Sequence, residues 1–414
     1  MPTPHLPHAA TATAQGLCPQ RLARIDRFLA DKYIRPGLLP CAQLLVARRG
    51  QVVHQTVLGT AVLATGQAMA EDTLVRIYSM TKPITSVAFM MLVEQGLVAL
   101  DDPVHRFIPA WRHLGVYAGG QGGSFETTPT TAPMRMIDLL RHTAGLTYGF
   151  QLRTPVDAAY RAGRIEPLER RDGLEGFVQD LAKLPLEFQP GSAWNYSVAT
   201  DVLGYLVGHI SGQPFEQVLQ QHILGPLGMV DTAFHVADDQ AHRLAACYLR
   251  EADGRLTALP DKRFRQPPSA PSGGGGLLST AADYLRFCEM LRNGGALGDV
   301  RLLAPKTVAL MRMNHLPGAV DLADISQSLF SEASYRGVGF GLGLAMTTDV
   351  AKTQLAGSVG EYWWGGAAST AFWIDPVEQL SVVFLTQLMP SSTYPIRREL
   401  RTMVNAAILE SLAV

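Results

Sequence analysis

Ser79-Met80-Thr81-Lys82 sets a hydroxyl and an amine three residues apart, directly after an extended, β-branched approach over residues 73–78. Residues three apart on a helix share a face and lie within hydrogen-bond reach. A serine hydroxyl is a weak nucleophile at neutral pH and needs a neighbour to take its proton. Lys82 can be that neighbour when its amine is desolvated or crowded by other donors. Serine is equally a favoured helix N-cap, so this segment alone leaves cap and nucleophile both open.

Two further segments carry chemistry. Tyr196, in Trp194-Asn195-Tyr196-Ser197, follows the turn signal Pro190-Gly191 and precedes a helix start near residue 198, which puts it on a loop tip. A tyrosine held beside a lysine can serve as general base and acid; a packing aromatic is the plainer reading of the same residue. In Glu361-Tyr362-Trp363-Trp364-Gly365-Gly366-Ala367, paired glycines at a strand entrance allow close approach to the backbone. A free N–H there can donate to a developing oxyanion. The alternative is a glycine bulge beside two core tryptophans.

The elements that must hold these groups are legible as patterns. After Lys82 and Pro83, apolar residues recur at helical spacing until Gly96. Residues 87–93 are apolar on every side, the mark of a buried helix. An amphipathic helix is expected over 21–33, then strands over 43–47 and 52–58 joined across a hairpin signal at 48–51. Helical patterns follow at 136–141, 174–184, 199–211, 215–223 and 281–291. Strands are expected at 339–346, 370–374 and 380–386, and a closing helix at 396–412. Residues 115–133 and 267–276 read as Gly-rich or Pro-rich loops. Strands joined by short links imply an antiparallel sheet. The expected α+β architecture is therefore one sheet built from both chain ends, flanked by the N- and C-terminal helices, with a mostly helical domain inserted between them. The divisions are a flexible tail over 1–19, an α/β domain from 20–75 and 325–414, and a helical domain over 76–324, with the active site at their interface.

A chain of 414 residues, 47% hydrophobic and 17% charged, can bury a large core. Its formal net charge of −1 recruits neither nucleic acid nor anionic membrane. The longest uncharged helical run, 83–93, is far short of the roughly 20 residues that span a bilayer. Residues 1–16 lack the basic and apolar regions of a secretory signal. Cys18, Cys41, Cys247 and Cys288 are scattered, as expected for reduced thiols of a cytoplasmic protein.

In this order and with these gaps, the three segments resemble the serine β-lactamase-like superfamily. Within it they are most similar to the family VIII carboxylesterases related to class C β-lactamases and penicillin-binding proteins. The likeness covers the chain from about residue 20. Asp138-Leu139-Leu140-Arg141-His142-Thr143-Ala144-Gly145-Leu146, Pro226-Leu227-Gly228-Met229 and Gly273-Gly274-Gly275-Gly276-Leu277 also look like the family, as fold residues. His142 reads as one of these rather than as a base. The resemblance implies a β-lactamase/transpeptidase-like fold with Ser79 as nucleophile and Lys82 and Tyr196 as the base. Trp364, Gly365 and Gly366 would line the site, and the N–H groups of Ser79 and Ala367 would form the oxyanion hole.

Two departures bear on substrate. Penicillin-recognising relatives carry Tyr-x-Asn and Lys-Thr-Gly or His-Thr-Gly, where this chain has Tyr196-Ser197-Val198 and Trp364-Gly365-Gly366. An indole in place of a cation removes the partner of a substrate carboxylate and suits an uncharged acyl or alcohol group. Arg135, Arg263, Arg336 or another arginine would substitute for the missing cation if folded into the site. Rival chemistries lack their motifs. There is no Gly-x-Ser-x-Gly, the nearest approach being Ala356-Gly357-Ser358-Val359-Gly360. There is also no His-Glu-x-x-His, clustered Cys and His, or phosphate-binding loop after a strand. The expectation is a serine carboxylesterase acting on short-chain neutral esters through an acyl-enzyme, with no cofactor, no metal and a small-molecule ester as its partner. An acyltransferase using the same intermediate is one alternative, and a β-lactamase or DD-peptidase-like hydrolase with weak cephalosporin activity is another. A ligand sensor without catalysis is less consistent with an intact Ser, Lys and Tyr. Oligomeric state is not written in these patterns.

Overall fold

The structure, a computed structural model, describes residues 6–327 and 335–413. Cys41–Arg48 (β1) and Gln51–Val62 (β2) form a hairpin whose turn residues Arg49 and Gly50 both have positive φ, 52° and 81°. That turn matches the right-handed twist of paired strands. With Gln67–Ala68 (β3), Val338–Phe340 (β4), Ala345–Thr347 (β5), Tyr362–Gly365 (β6), Ala371–Asp375 (β7) and Leu380–Leu385 (β8) they make one antiparallel sheet, ordered β4-β5-β6-β7-β8-β1-β2-β3 among the described residues. The two chain ends meet where β1 pairs with β8, Leu45 opposite Val383.

Strand periodicity assigns each side chain to a face. Leu44 and Val46 of β1, with Val382 and Phe384 of β8, pack under the helices Pro19–Leu29 (α1) and Ile396–Ala406 (α5). Leu45, Ala47, Val383 and Leu385 face the opposite core, which continues into the helices Thr81–Glu94 (α2), Ala199–Ser211 (α3) and Ala281–Arg292 (α4). The sheet is therefore buried on both faces, and β1 is buried along its whole length. Helix α4 lies inside the stretch read as the helical domain yet packs on β1, β7 and β8. Its Tyr284 ring sits 5.1 Å from that of Phe372.

Three sequence expectations are corrected. Residues 339–346 are not one strand but parts of β4 and β5, because Gly343 turns the chain at φ 87° and the Gly341 N–H bonds the Leu344 carbonyl at 2.7 Å. The loop expected over 115–133 contains a hairpin, Gly115–Gln121 with Ser124–Pro129. Over its described part, the tail expected at 1–19 is fixed to the sheet. Ala9 donates to the Val52 carbonyl at 2.9 Å, Leu17 is buried, and Arg48 binds the carbonyls of Gln15, Gly16 and Glu410 beside its 2.7 Å ion pair with Glu378. A buried guanidinium needs that many acceptors, and the chain termini supply them. Residues 1–5 of that tail and 328–334 of the second α/β stretch lie outside the described residues. No helix among the described residues is long and apolar enough to cross a membrane.

Candidate active site

The short strand Val75–Arg76 pairs with Leu278–Ser279 and delivers the chain to a single 3₁₀ turn, Tyr78–Met80, after which α2 begins at Thr81. Met80 occupies the N-cap and no side chain caps the helix, so Ser79 is not a cap. Tyr78 has φ 42°, a left-handed conformation that strains a bulky residue. The strain sits next to the candidate nucleophile. Pairing with Leu278–Ser279 also brings residues 273–276 against α2, where Thr85 Oγ1 donates to the Gly273 carbonyl at 2.8 Å and Thr81 Oγ1 accepts the Leu277 N–H at 3.1 Å.

Lys82 is 2% exposed, and its Nζ reaches three acceptors: Ser79 Oγ at 3.4 Å, Tyr148 Oη at 3.0 Å and the Gly274 carbonyl at 2.7 Å. Behind them lies Asp201 on α3. Its Oδ1 accepts Ser272 Oγ at 2.5 Å and the Gly274 N–H at 2.9 Å, and its Oδ2 accepts the Tyr148 hydroxyl at 3.5 Å. Burial pushes the Asp201 carboxyl up from its ordinary range, and the charge of Lys82 opposes that rise. Burial, then the Asp201 charge, holds the Tyr148 phenol well above its ordinary value. Tyr148 and Asp201 did not emerge from sequence reading. The usable signal was that Tyr148 stands two residues beyond the Asp138 to Leu146 stretch.

Tyr196 is where sequence placed it, on the loop before α3, and buried in an aromatic cage. Ring centroids of His142, Tyr148 and Trp364 lie 5.0, 5.4 and 5.5 Å from its own, and Trp194 stacks at 6.1 Å. Lys82 Nζ is 4.4 Å from the Tyr196 ring centroid, a cation–π distance. The Trp364 indole N–H donates to Tyr196 Oη at 3.4 Å, so Trp364 orients this hydroxyl as well as forming a wall. His142 bonds Ser197 Oγ at 3.2 Å. Burial, reinforced by the Lys82 charge, holds its imidazole well below its ordinary value, hence neutral. That is the structural role expected of it.

Strand β6 ends at Gly365. Gly366 is fixed by its own N–H to the Thr370 carbonyl at 2.9 Å and by Arg397 Nη2 on its carbonyl at 2.7 Å. The next N–H, that of Ala367, donates to no protein group among the described residues. A Cβ on Gly366 would come within 2.3 Å of the Ile77 carbonyl, two residues before Ser79. Glycine is required there by close approach. Gly366→Ala is accordingly expected to cost about 1–3 kcal/mol of stability and to lower turnover about 10²-fold. Denaturant titration and kcat check this, and values equal to the unsubstituted protein in both would contradict it.

Ser79, Tyr148, Tyr196 and residues 363–367 line one cavity of about 650 Å³. Phe150, Trp194, Leu355 and Met389 add apolar wall. Of Arg135, Arg263 and Arg336, only Arg263 lines it; Arg135 instead lies 3.4 Å from Asp138. Arg397, Arg398 and Arg401 also border the cavity; Arg397 binds the carbonyls of Gly366 and Thr370, and Arg401 pairs with Glu361 at 2.7 Å.

A family model described as Beta-lactamase matches residues 30–405. Protein Rv1367c of Mycobacterium tuberculosis is 37% identical over 358 residues, 86% of this chain and 87% of that one. Esterase EstB of Burkholderia gladioli is 33% identical over 386 residues, 88% of this chain and 90% of that one. The solved structure of "EstCE1, a hydrolase with promiscuous acyltransferase activity" superposes with TM-score 0.78 at 27% identity, covering 96% of this chain and 99% of that one.

Proposed function

The chain belongs to the beta-lactamase family, on its esterase side, and from that premise we propose that it hydrolyses short-chain neutral carboxylic esters through an acyl-enzyme on Ser79. The observation that carries this is Ser79 Oγ set 3.4 Å from a buried lysine amine, on the wall of a largely apolar cavity. Ser79 attacks the ester carbonyl carbon while its proton passes to the Lys82 and Tyr196 pair. The oxyanion accepts from the N–H groups of Ser79 and Ala367. The proton is then handed to the departing alkoxide, the alcohol leaves, and water repeats the sequence on the acyl-enzyme. Each step uses side chains, backbone N–H groups and water.

Substrate class follows from Trp364. Its indole N–H is already engaged with Tyr196 Oη and cannot balance a carboxylate, so an anion held against Trp364 loses water without gaining a charge-assisted pair from that residue. Arg263 on the cavity wall is the cation it would have to reach instead. Short-chain p-nitrophenyl esters are expected to exceed benzylpenicillin in kcat/KM by at least about 10²-fold, equivalent to a few kcal/mol. An equal or greater value for the penicillin would replace the esterase reading with a β-lactamase. The EstCE1 likeness favours a second reading, in which an alcohol takes the place of water in deacylation. Product analysis with added alcohol separates the two, since transfer yields a new ester and hydrolysis only the acid.

A further inference from the structure

Lys82 is a buried amine with no carboxylate oxygen within 4.0 Å among the described residues, and its three hydrogen-bond partners match the three N–H bonds of an ammonium. A buried ammonium without compensation costs several kcal/mol, so the compensating charge must lie beyond those partners. Asp201 is the carboxylate that meets them. Tyr148 accepts from Lys82 and donates to Asp201, while Gly274 gives its carbonyl to Lys82 and its N–H to Asp201. Two separate routes thus join one buried cation to one buried anion.

The surrounding groups leave that pairing intact. Around Lys82 stand the Tyr196 ring, the neutral His142, Tyr148 and Ser79; around Asp201 stand Tyr148, Ser272 and Gly274. Glu166 borders the cavity and adds to the field at Tyr148. A Cβ on Gly274 would come 2.4 Å from Asp201 Oδ2 and 2.9 Å from Tyr148 Oη, so only a residue without a side chain can sit against both Asp201 and Tyr148 here.

We propose that Asp201 is a positioning residue that sets the pH at which Lys82 becomes a base toward Ser79, by holding the ammonium form through Tyr148 and Gly274. This rests on the assignment of Ser79 as nucleophile. The sign follows from charge: removing the carboxylate's negative charge disfavours the ammonium, so the free amine is reached at lower pH.

The test is the rate of Ser79 labelling by a fluorophosphonate as a function of pH, which needs no knowledge of the preferred ester. Asp201→Asn is expected to move the acid limb of that profile down by about one pH unit, and Asp201→Glu to keep it near its original position. Tyr148→Phe, which cuts one of the two routes, should move it in the same direction by less. A merely structural role would lower the rate at every pH and leave the limb in place. An unmoved limb in Asp201→Asn, or in Tyr148→Phe should the first variant not fold, overturns the proposal, as does a limb for Asp201→Glu that coincides with that of Asp201→Asn. Failure of the unsubstituted protein to label at Ser79 would instead sink the nucleophile assignment.

Discussion

Ser79→Ala is expected to lower kcat for p-nitrophenyl butyrate by roughly five to six orders of magnitude, the scale at which an acyl-forming serine acts, with the melting temperature almost unchanged. The variant deletes the atom that forms the acyl bond. It removes no helix cap, because Met80 holds that position without a side-chain bond, and Ser79 is only half-buried. Steady-state kinetics beside a thermal melt read both halves of the expectation. Loss of less than tenfold would move the nucleophile elsewhere. Ser358 is the nearest match to the rival pentapeptide, but it belongs to a different place in the fold. It does not line the cavity that Ser79 and Tyr196 line.

Lys82→Ala and Tyr196→Phe are each expected to reduce kcat/KM by about 10³–10⁴-fold, while the double variant falls little below the worse single one. Groups that share a proton act as a unit, and removing the second costs little once the first is gone. Independent roles would multiply the two losses, so a double variant reduced by their product contradicts a shared relay. The structure also supplies a competitor: the Tyr148 hydroxyl lies 3.0 Å from Lys82 Nζ, while the Lys82 cation stands over the Tyr196 ring. Near-normal Tyr196→Phe alongside a collapse in Tyr148→Phe would transfer the relay to Tyr148.

What sequence made legible was local. Ser79 and Lys82 are coupled by spacing within one turn, and the β1–β2 hairpin by alternation around Arg49-Gly50. Helix α3 occupies residues 199–211, as its apolar period predicts. Tyr196 was found because a turn signal and a helix start bracket it. The remainder of the site depends on contacts that no short window contains. Tyr148 is 66 residues from Lys82, and Gly274 is 192 residues away. The run at 273–276 was visible as a fold feature, but its function as an acceptor for Lys82 requires Val75–Arg76 to pair with Leu278–Ser279. The N-terminal segment misled for a related reason. Its Ala, Thr and Pro content resembles a tail, while the groups that fix it, Arg48 and Val52, belong to the sheet.

The central claim is a covalent acyl group on Ser79, and the most direct measurement is intact-mass spectrometry of the protein quenched in acid within the first turnovers of a p-nitrophenyl ester. Peptide mapping of the adduct then locates the acyl group. The account predicts one acyl equivalent per chain, confined to the peptide that carries Ser79 and missing from Ser79→Ala. Acylation of Ser358 or any other residue, or an unmodified Ser79 peptide under conditions where ester is being consumed, would contradict it.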